Sequence, residues 1–397
     1  MKNIYLDNAA AAPIDARVQK EVDRGMKIYG NPSSFNNSGR RAANELDKAR
    51  LKVARFLGAH PEEIVFTGSG SEANNMAISG LALVASKDKR EIVTTSVEHP
   101  SVLEPIKHLN FKGFKTVFAK VDRDGCADVQ DLASKINDKT LLVSVMYANN
   151  EIGTIEPINK IGKIIKDFRK GLEIRNSKLE IHGKAYPLFH VDACQAAGYL
   201  NMNVNSFQAD LLTFNGSKIG GPRGIGVLYV RRGTELAPFV LGGGQERGLR
   251  AGTENLPAIL GLAKAIELID EKEAVRLIKL RDYFIDRIRE IDPGIKLNGP
   301  IGKGRLPNNI NISIPDLDSE NLLLELDKHG IYAGSGSACT SRAVEPSHVL
   351  KAIGVDKKYL AGALRFSMGR ETTKGDIDYV LEVLPKIIQD LKKRYRK

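Results

Sequence analysis

Through its first 230 residues the chain alternates short apolar runs, rich in β-branched side chains, with longer stretches whose apolar positions recur at helical spacing. Glu63 to Phe66, Glu91 to Thr95, Leu141 to Met146 and Leu188 to Val191 read as strands, as do the runs Asp210 to Phe214 and Ile225 to Val230. Residues 1–30 read as an extended lead-in followed by a helix, and Asn31-Pro32-Ser33-Ser34 as a turn. Arg40 to Leu57 keeps the helical period and stops at Gly58, and another helix starts near Pro157. Strands alternating with helices predict an α/β fold, a mostly parallel sheet with helices on both faces. Arg169 to Tyr186 is polar and irregular and reads as a surface insertion.

Beyond residue 230 the pattern changes. From Glu254 a long helical pattern runs to about Asp292, then Asn309 to Ile314 reads as a strand and Ser319 to His329 as a helix. Leu364 to Arg370 reads as a further strand, and a last helix starts near Thr373. The expected division is a large domain over 1–255, with the N-terminal segment contributing to the small one. Residues 256–397 then hold the linking helix and a smaller α+β domain. A chain of 397 residues has room for both.

Composition narrows the class. Hydrophobic residues make up 42% and charged residues 27%, as in ordinary soluble α/β proteins. No apolar run approaches the ~20 residues that cross a bilayer, and Met1 to Asp7 lacks an apolar signal core, so no membrane or export is expected. The three cysteines, Cys126, Cys194 and Cys339, have neither metal-ligand nor disulfide spacing. No metal is expected, and a reducing cytoplasm fits. The net charge of +11 has two readings, solubility or an anionic ligand or acidic partner, RNA included.

Polar residues of catalytic type gather where strands end. Thr67-Gly68-Ser69-Gly70-Ser71-Glu72 joins a strand to a helix, as an anion site or as a helix capped by Ser71. His99 stands where a strand hands over to a helix, either structural or placed to stack on a planar ring and move protons. Asn149 opens the loop after the next strand. Asp192 ends another, as a helix cap or as a partner for a protonated ring nitrogen, and Gln195 suits a ring hydroxyl. Lys218 lies in Asn215-Gly216-Ser217-Lys218-Ile219-Gly220-Gly221, between two strands and among glycines, which suits Schiff-base chemistry with an aldehyde such as pyridoxal phosphate. Ligands of parallel sheets sit at the carboxyl ends of strands, so Ser71, His99, Asn149, Asp192 and Lys218 point to one active site.

Three later stretches add to it. Leu241 to Asn255 is a glycine-rich loop with two arginines, either a flexible surface loop or one that reaches an anion across an interface. Cys339 sits among small residues, Ser335-Gly336-Ser337-Ala338-Cys339-Thr340-Ser341, which favours an accessible thiol. Arg365 is either a solvated edge charge or a guanidinium that grips an α-carboxylate.

In order along nearly the whole chain, the segments Tyr5–Ala12, Asn31–Ser34, Phe66–Ile78, Glu98–Val102, Asn149–Gly153, His190–Gln195, Gly216–Gly226, Gly242–Thr253, Gly334–Ser341 and Arg365–Gly369 resemble the cysteine desulfurases. These are pyridoxal 5'-phosphate enzymes of the class V aminotransferase family. The resemblance implies the transferase fold type I, a large domain whose mostly parallel sheet is sandwiched by helices, plus a smaller α+β domain. Lys218 would hold the cofactor, His99 stack on its ring, Asp192 pair with its nitrogen and Gln195 with its hydroxyl. The Gly70 backbone, Ser71, Ser217 and the Thr253 of a second subunit would bind its phosphate, in a homodimer. Asn149 and Arg365 would bind the carboxylate of L-cysteine. Cys339 would be the nucleophile, carrying a persulfide to an iron–sulfur scaffold or a tRNA-thiolation enzyme, with alanine as the other product. No direct binding of nucleic acid is expected.

The chain departs from the family pattern in places. Ser217 stands where the family usually has a phosphate-binding histidine, and Asn36 or Asn37 where a histidine often follows the turn. The alternatives are another class V enzyme, a selenocysteine lyase or aminotransferase, and a non-catalytic RNA- or protein-binding relative. The set Lys218, Asp192 and Cys339 speaks against the last.

Overall fold

The computed structural model describes residues 3–175, 186–335 and 346–395. The chain enters through strand β1 (Ile4–Tyr5) and helices α1 (Ala16–Met26) and α2 (Asn37–Leu57). Asn36 caps α2 through Gly39 N–H, and Gly58 ends it at φ 63°, a left-handed conformation that glycine adopts at little cost. Strand β2 (Ile64–Thr67) leads into a continuous helical run, α3 (Gly70–Asn75), a π turn (Met76–Gly80) and α4 (Leu81–Val84). Then follow β3 (Glu91–Thr95), α5 (Pro100–Asn110), β4 (Lys115–Ala119), α6 (Val129–Lys135), β5 (Thr140–Met146) and α7 (Ile158–Arg175). Strand β6 (Leu188–Asp192), α8 (Val204–Phe207), β7 (Leu211–Asn215) and β8 (Gly226–Val230) complete the large sheet.

That sheet has the order β2-β8-β7-β6-β5-β3-β4. β4, β3, β5, β6 and β7 are parallel neighbours, while β8 is antiparallel to both β7 and β2. β2 therefore runs with the parallel set, and its carboxyl end opens on the same edge as theirs. Side chains alternate between the faces. Phe66, Val93, Val143, Phe189 and Leu212 face one core with α2, while their neighbours Val65, Ile92, Leu142, Leu188 and Leu211 face another with α4 and α5. Both faces are covered, which is why the strands read as unbroken apolar runs.

The expected long helix after Glu254 is two helices, α9 (Leu256–Glu267) and α10 (Glu271–Ile291). Asp270 caps α10, its carboxylate accepting the Lys272 N–H at 2.9 Å. Helix α9 packs its Leu256, Ile259 and Leu262 into the large-sheet core, so core membership changes after Glu267 rather than at residue 255. Strands β9 (Lys296–Leu297) and β10 (Asn309–Ser313), helix α11 (Ser319–Lys328) and strand β11 (Ile331–Tyr332) follow. The short helices α12 (His348–Ala352) and α13 (Lys357–Leu360), strand β12 (Ala363–Ser367) and helix α14 (Lys374–Tyr395) complete the described chain. β10 lies between β12 and β9, antiparallel to both, and β1 pairs with β11. Leu6, Phe284, Ile312, Phe366 and Leu384 share this second core, so the first residues of the chain pack with the last. Of the polar stretch after Arg169, residues up to Arg175 continue α7, and 176–185 lie outside the described residues. Among the described residues no helix is long and apolar enough to cross a membrane, and no side-chain cluster has the makings of a metal site.

Candidate active site at the carboxyl edge of the sheet

A chain of hydrogen bonds links His99 to Asp192 across three strand ends. His99 caps α5, with Pro100 as the first helical residue. Its Nδ1 accepts the Ser101 N–H at 3.1 Å and lies 2.8 Å from Ser101 Oγ. A backbone N–H can only donate, so in the neutral ring the proton sits on Nε2. Asn74, fully buried on α3, donates from Nδ2 to Ser101 Oγ and to Asp192 Oδ2, each at 2.8 Å. Asp192 Oδ1 accepts the Cys194 N–H at 3.0 Å. Asp192 is only 5% exposed, yet both its oxygens have donors. Burial depresses the His99 pKa; Asp192 opposes that, and Lys218 and His348 reinforce it. Behind the site, His190 on β6 spans Ser144 Oγ and Thr213 Oγ1 at 2.8 and 3.2 Å. Its burial lowers its pKa to about 4, which keeps it neutral.

Lys218 ends a single 3-10 turn, Gly216–Lys218, that leaves β7. Its Nζ donates to Ala9 O at 2.8 Å and Ala10 O at 2.6 Å. Gln195 Nε2 donates to the same Ala9 carbonyl at 3.0 Å. The small-residue segment Asn8-Ala9-Ala10 is thus a backbone ledge on which the lysine and the glutamine meet. Ser217 is half-buried beside it, its carbonyl accepting the Ala12 N–H at 2.8 Å.

Gly70 opens the helical run at the end of β2. A Cβ there would lie 2.7 Å from Cys194 Sγ and 3.1 Å from Asn215 Nδ2, so the ends of β2, β6 and β7 meet at a point that admits no side chain. Ser71 follows and is exposed. The cap of this helix is Ser69, not Ser71: Ser69 Oγ accepts the Glu72 N–H at 3.1 Å. Capping thus falls to Ser69, and Ser71 stands exposed two positions on.

Arg365, on β12, is buried, with 3% of its side chain exposed. Nη1 donates to Asn150 O at 2.9 Å and Nη2 to Asp7 Oδ1 at 2.6 Å, while Nε, also buried, meets no partner among the described residues. Asn149 is held by protein groups. It is fully buried, its Oδ1 accepts the Glu151 and Ile152 N–H groups, and its Nδ2 donates to Val97 O at 2.9 Å. Its oxygen thus holds its own loop and its Nδ2 ties that loop to the segment after β3, so Asn149 shapes the turn that presents Asn150 O to Arg365.

The glycine-rich loop is held down rather than loose. Glu246, 5% exposed, takes a forked bond from Arg50 at 2.8 and 2.7 Å and the Phe66 N–H at 3.0 Å. Arg250 adds an ion pair to Glu72 at 2.9 Å, and Thr253 is exposed at the loop's end. Cys339 lies outside the described residues; its segment departs from Gly334, whose backbone bonds that of Arg365 in both directions. The other two thiols are held protonated. Burial and nearby carboxylates, Glu156 first, push Cys126 up to about 12, and burial with Asp192 pushes Cys194 well above the usual thiol range.

Three members of this site were not singled out by sequence reasoning: Asp7, Asn74 and Ser101. Ser101 had a signal, since Pro100 at the first helical position marks His99 as the cap and the next residues as its donors. Asn74 had a weaker one, a polar residue within the apolar stripe Ala73, Met76, Ala77.

Residues 4–380 match the family Aminotransferase class-V. The cysteine desulfurase IscS of Dictyoglomus turgidum is 43% identical over 399 residues, which cover 98% of this chain and 96% of that protein. A solved NifS-like protein superposes with a TM-score of 0.88 at 35% identity, over 98% of this chain and all of its own, 100%. SspA, solved in complex with cysteine, superposes with a TM-score of 0.79 at 31% identity, over 92% of this chain and 98% of that one. With fold, strand-end residues and near-full-length matches in agreement, the chain belongs to the class-V aminotransferase family, among the cysteine desulfurases.

Proposed function

We propose that the protein takes the sulfur from L-cysteine, releases L-alanine and holds the sulfur as a persulfide on Cys339. The observation that carries this reading is the bonded chain His99–Ser101–Asn74–Asp192 on the same sheet edge as Lys218. Pyridoxal 5'-phosphate fits the residues present. Asp192 is a buried carboxylate with donors on both oxygens, suited to a protonated ring nitrogen. Near Gly70 the buried Asn215 Oδ1 has no partner among the described residues. Lys218 would hold the cofactor's aldehyde carbon, His99 lie against its ring, and Gln195 reach its hydroxyl. The Gly70 backbone, Ser71 and Ser217 would bind its phosphate, with Thr253 of a second copy. When bound, the cofactor supplies a conjugated system that takes up the electron pair left by the Cα proton.

The chain's own residues do the rest. Arg365 binds the substrate carboxylate with Nε. Lys218 Nζ, once freed as an amine, removes the Cα proton, and the backbone ledge at Ala9 and Ala10 keeps it in place. His99, neutral with its proton on Nε2, serves proton transfer near the substrate. The Cys339 thiolate attacks the substrate sulfur. The S–S bond forms as the C–S bond breaks, the electron pair passes to the substrate carbon, and a proton completes the methyl group of alanine. The balance is L-cysteine plus thiol to L-alanine plus persulfide. The protonated state of Cys126 and Cys194 favours Cys339 among the three cysteines.

A homodimer fits the large apolar side chains left in water: Tyr29 is 91% exposed, Phe35 93% and Leu241 82%. Sedimentation of the holoprotein as a monomer would remove that part. The acceptor is an iron–sulfur scaffold or a tRNA-thiolation enzyme, in the cytosol, and transfer of labelled sulfur from the persulfide to one of them tests it. The central experiment incubates the holoprotein with L-cysteine and a reductant and quantifies alanine and sulfide. Equal amounts are expected from wild type and neither from Cys339→Ser or Lys218→Ala. Equal yields from wild type and Cys339→Ser would overturn the nucleophile. No product from cofactor-loaded wild type would turn the reading to an aminotransferase or a selenocysteine lyase.

A further inference from the structure

The turn that carries His99 is gripped from outside by a second histidine. His348 is the first residue of α12, and its Nε2 lies 2.9 Å from the carbonyl oxygen of Glu98. A carbonyl oxygen can only accept, so this nitrogen carries a proton and donates. The carbonyl belongs to the peptide bond whose nitrogen is that of His99. One histidine thus holds the peptide that enters the other, while Ser101 fixes the far side of the His99 ring.

The same helix start is pinned a second time. Ser347, the cap of α12, bonds Glu151 Oε2 and accepts the Leu350 N–H at 3.1 Å. The Glu151 carbonyl accepts Asn309 and Asn311 side-chain amides, each at 3.1 Å. Glu98 is buried, its Oε1 taking Thr95 Oγ1 at 2.7 Å. Burial holds both carboxyls, Glu98 and Glu151, above the usual carboxylate range. So α12 touches the segment after β3 and the segment after β5 through polar bonds of defined direction. Its attachment does not depend on them: Val349 and Leu350 are buried against Val97, Met146 and Ile152. Apolar packing holds the helix, and the histidine adds orientation.

We propose that His348 is a positioning residue of this reaction, which acts through the peptide between Glu98 and His99 to keep the His99 ring in the place that Ser101 and Asn74 define. The proposal rests on the desulfurase reading for its kinetic consequence and on the geometry alone for its effect on His99. Among the described residues, the charged and titratable groups that act on the pair include Glu151 beside His348, Asp192 and Lys218 beside His99, and the two histidines on each other.

The test compares full-length His348→Gln, which keeps an N–H donor of similar reach, with His348→Leu, which keeps only packing. In protein labelled with 13C-histidine, the His99 signal, assigned with His99→Gln, reports tautomer and titration midpoint without turnover. In His348→Leu the midpoint is expected to move up toward that of an ordinary histidine and the Nε2–H tautomer to lose its dominance; His348→Gln keeps the tautomer. Alanine formation per enzyme should fall about tenfold in the leucine variant, as for a lost buried hydrogen bond and a displaced group, and recover to within about threefold in the glutamine variant. A leucine variant with wild-type His99 titration and wild-type alanine formation would overturn the proposal, as would a glutamine variant as impaired as leucine in both. If wild type makes no alanine, the desulfurase reading fails, while the His99 spectra still decide whether His348 holds His99.

Discussion

Arg365→Lys isolates one atom. The guanidinium is buried, and two of its three nitrogens are engaged, Nη1 with Asn150 O and Nη2 with Asp7. Nε has no partner among the described residues. An unpaired buried donor costs on the order of 1–3 kcal/mol, and a hydrogen bond to a charged group contributes ~1.5–3 kcal/mol. A substrate carboxylate seated on Nε removes the first and gains the second. Lysine keeps the positive charge near Asp7 but has no Nε and no fork. At ~1.36 kcal/mol per decade, losing that bond raises the KM for cysteine ~10- to 150-fold. The carboxylate is held alike before and during the reaction, so kcat should change by no more than about threefold. Initial rates of alanine formation give the parameters, and the absorbance of bound cofactor shows that loading is equal. Cysteamine, which lacks the carboxylate, is the control: wild type should prefer cysteine by a similar factor, and the variant should not. A KM within twofold of wild type, or an equal loss toward cysteamine, would refute the role of Nε.

Gly70→Ala places a methyl group 2.7 Å from Cys194 Sγ, at the junction of β2, β6 and β7. Cofactor affinity, read by absorbance titration of the apoprotein, should weaken at least about tenfold, and unchanged affinity would remove Gly70 from the phosphate site. Glu156→Gln tests a buried acid. Burial raises the Glu156 pKa to about 8, against an unfolded value near 4.5. Between those values the folded chain binds the extra proton, so this group's contribution is full below about pH 4.5 and is lost as the pH rises toward 8. The variant should therefore gain on wild type in melting temperature at pH 8.5 relative to pH 5, and parallel profiles would show that Glu156 does not titrate there.

The main architecture is legible in the sequence because every central strand is buried on both faces and must be apolar throughout. The polar residues that stop each run, His99, Asp192 and Lys218 among them, stand out for that reason. What joins them is less legible. Asn74 reaches Asp192 over 118 positions and Glu246 reaches Arg50 over 196, and no local period encodes such pairs. Asn149 is ambiguous for a chemical reason: an asparagine after a strand serves a ligand or nearby backbone equally well, and here its oxygen holds its own loop while its Nδ2 reaches Val97 O. The break between α9 and α10 did leave a mark, Asp270 followed at the third helical position by Glu273, a capping pattern inside an otherwise continuous period.

The first and last strands of the second core carry a consequence for how the protein is made. Asn8 Nδ2 bonds Ser367 O across 359 positions, and Asp7 pairs with Arg365 across 358. A ribosome delivers the chain from its N-terminus, so Asp7 and Asn8 must wait for these partners until β12 has been synthesised, although the Ala9 and Ala10 carbonyls find Lys218 and Gln195 earlier. The large sheet, whose last strand ends at Val230, is complete long before. The reaction site is therefore closed only when β12, far behind the large sheet in chain order, has been translated. A nascent chain stalled before Ala363 should bring no ordered carboxylate site to cysteine, so sulfur release waits for the strand that carries Arg365.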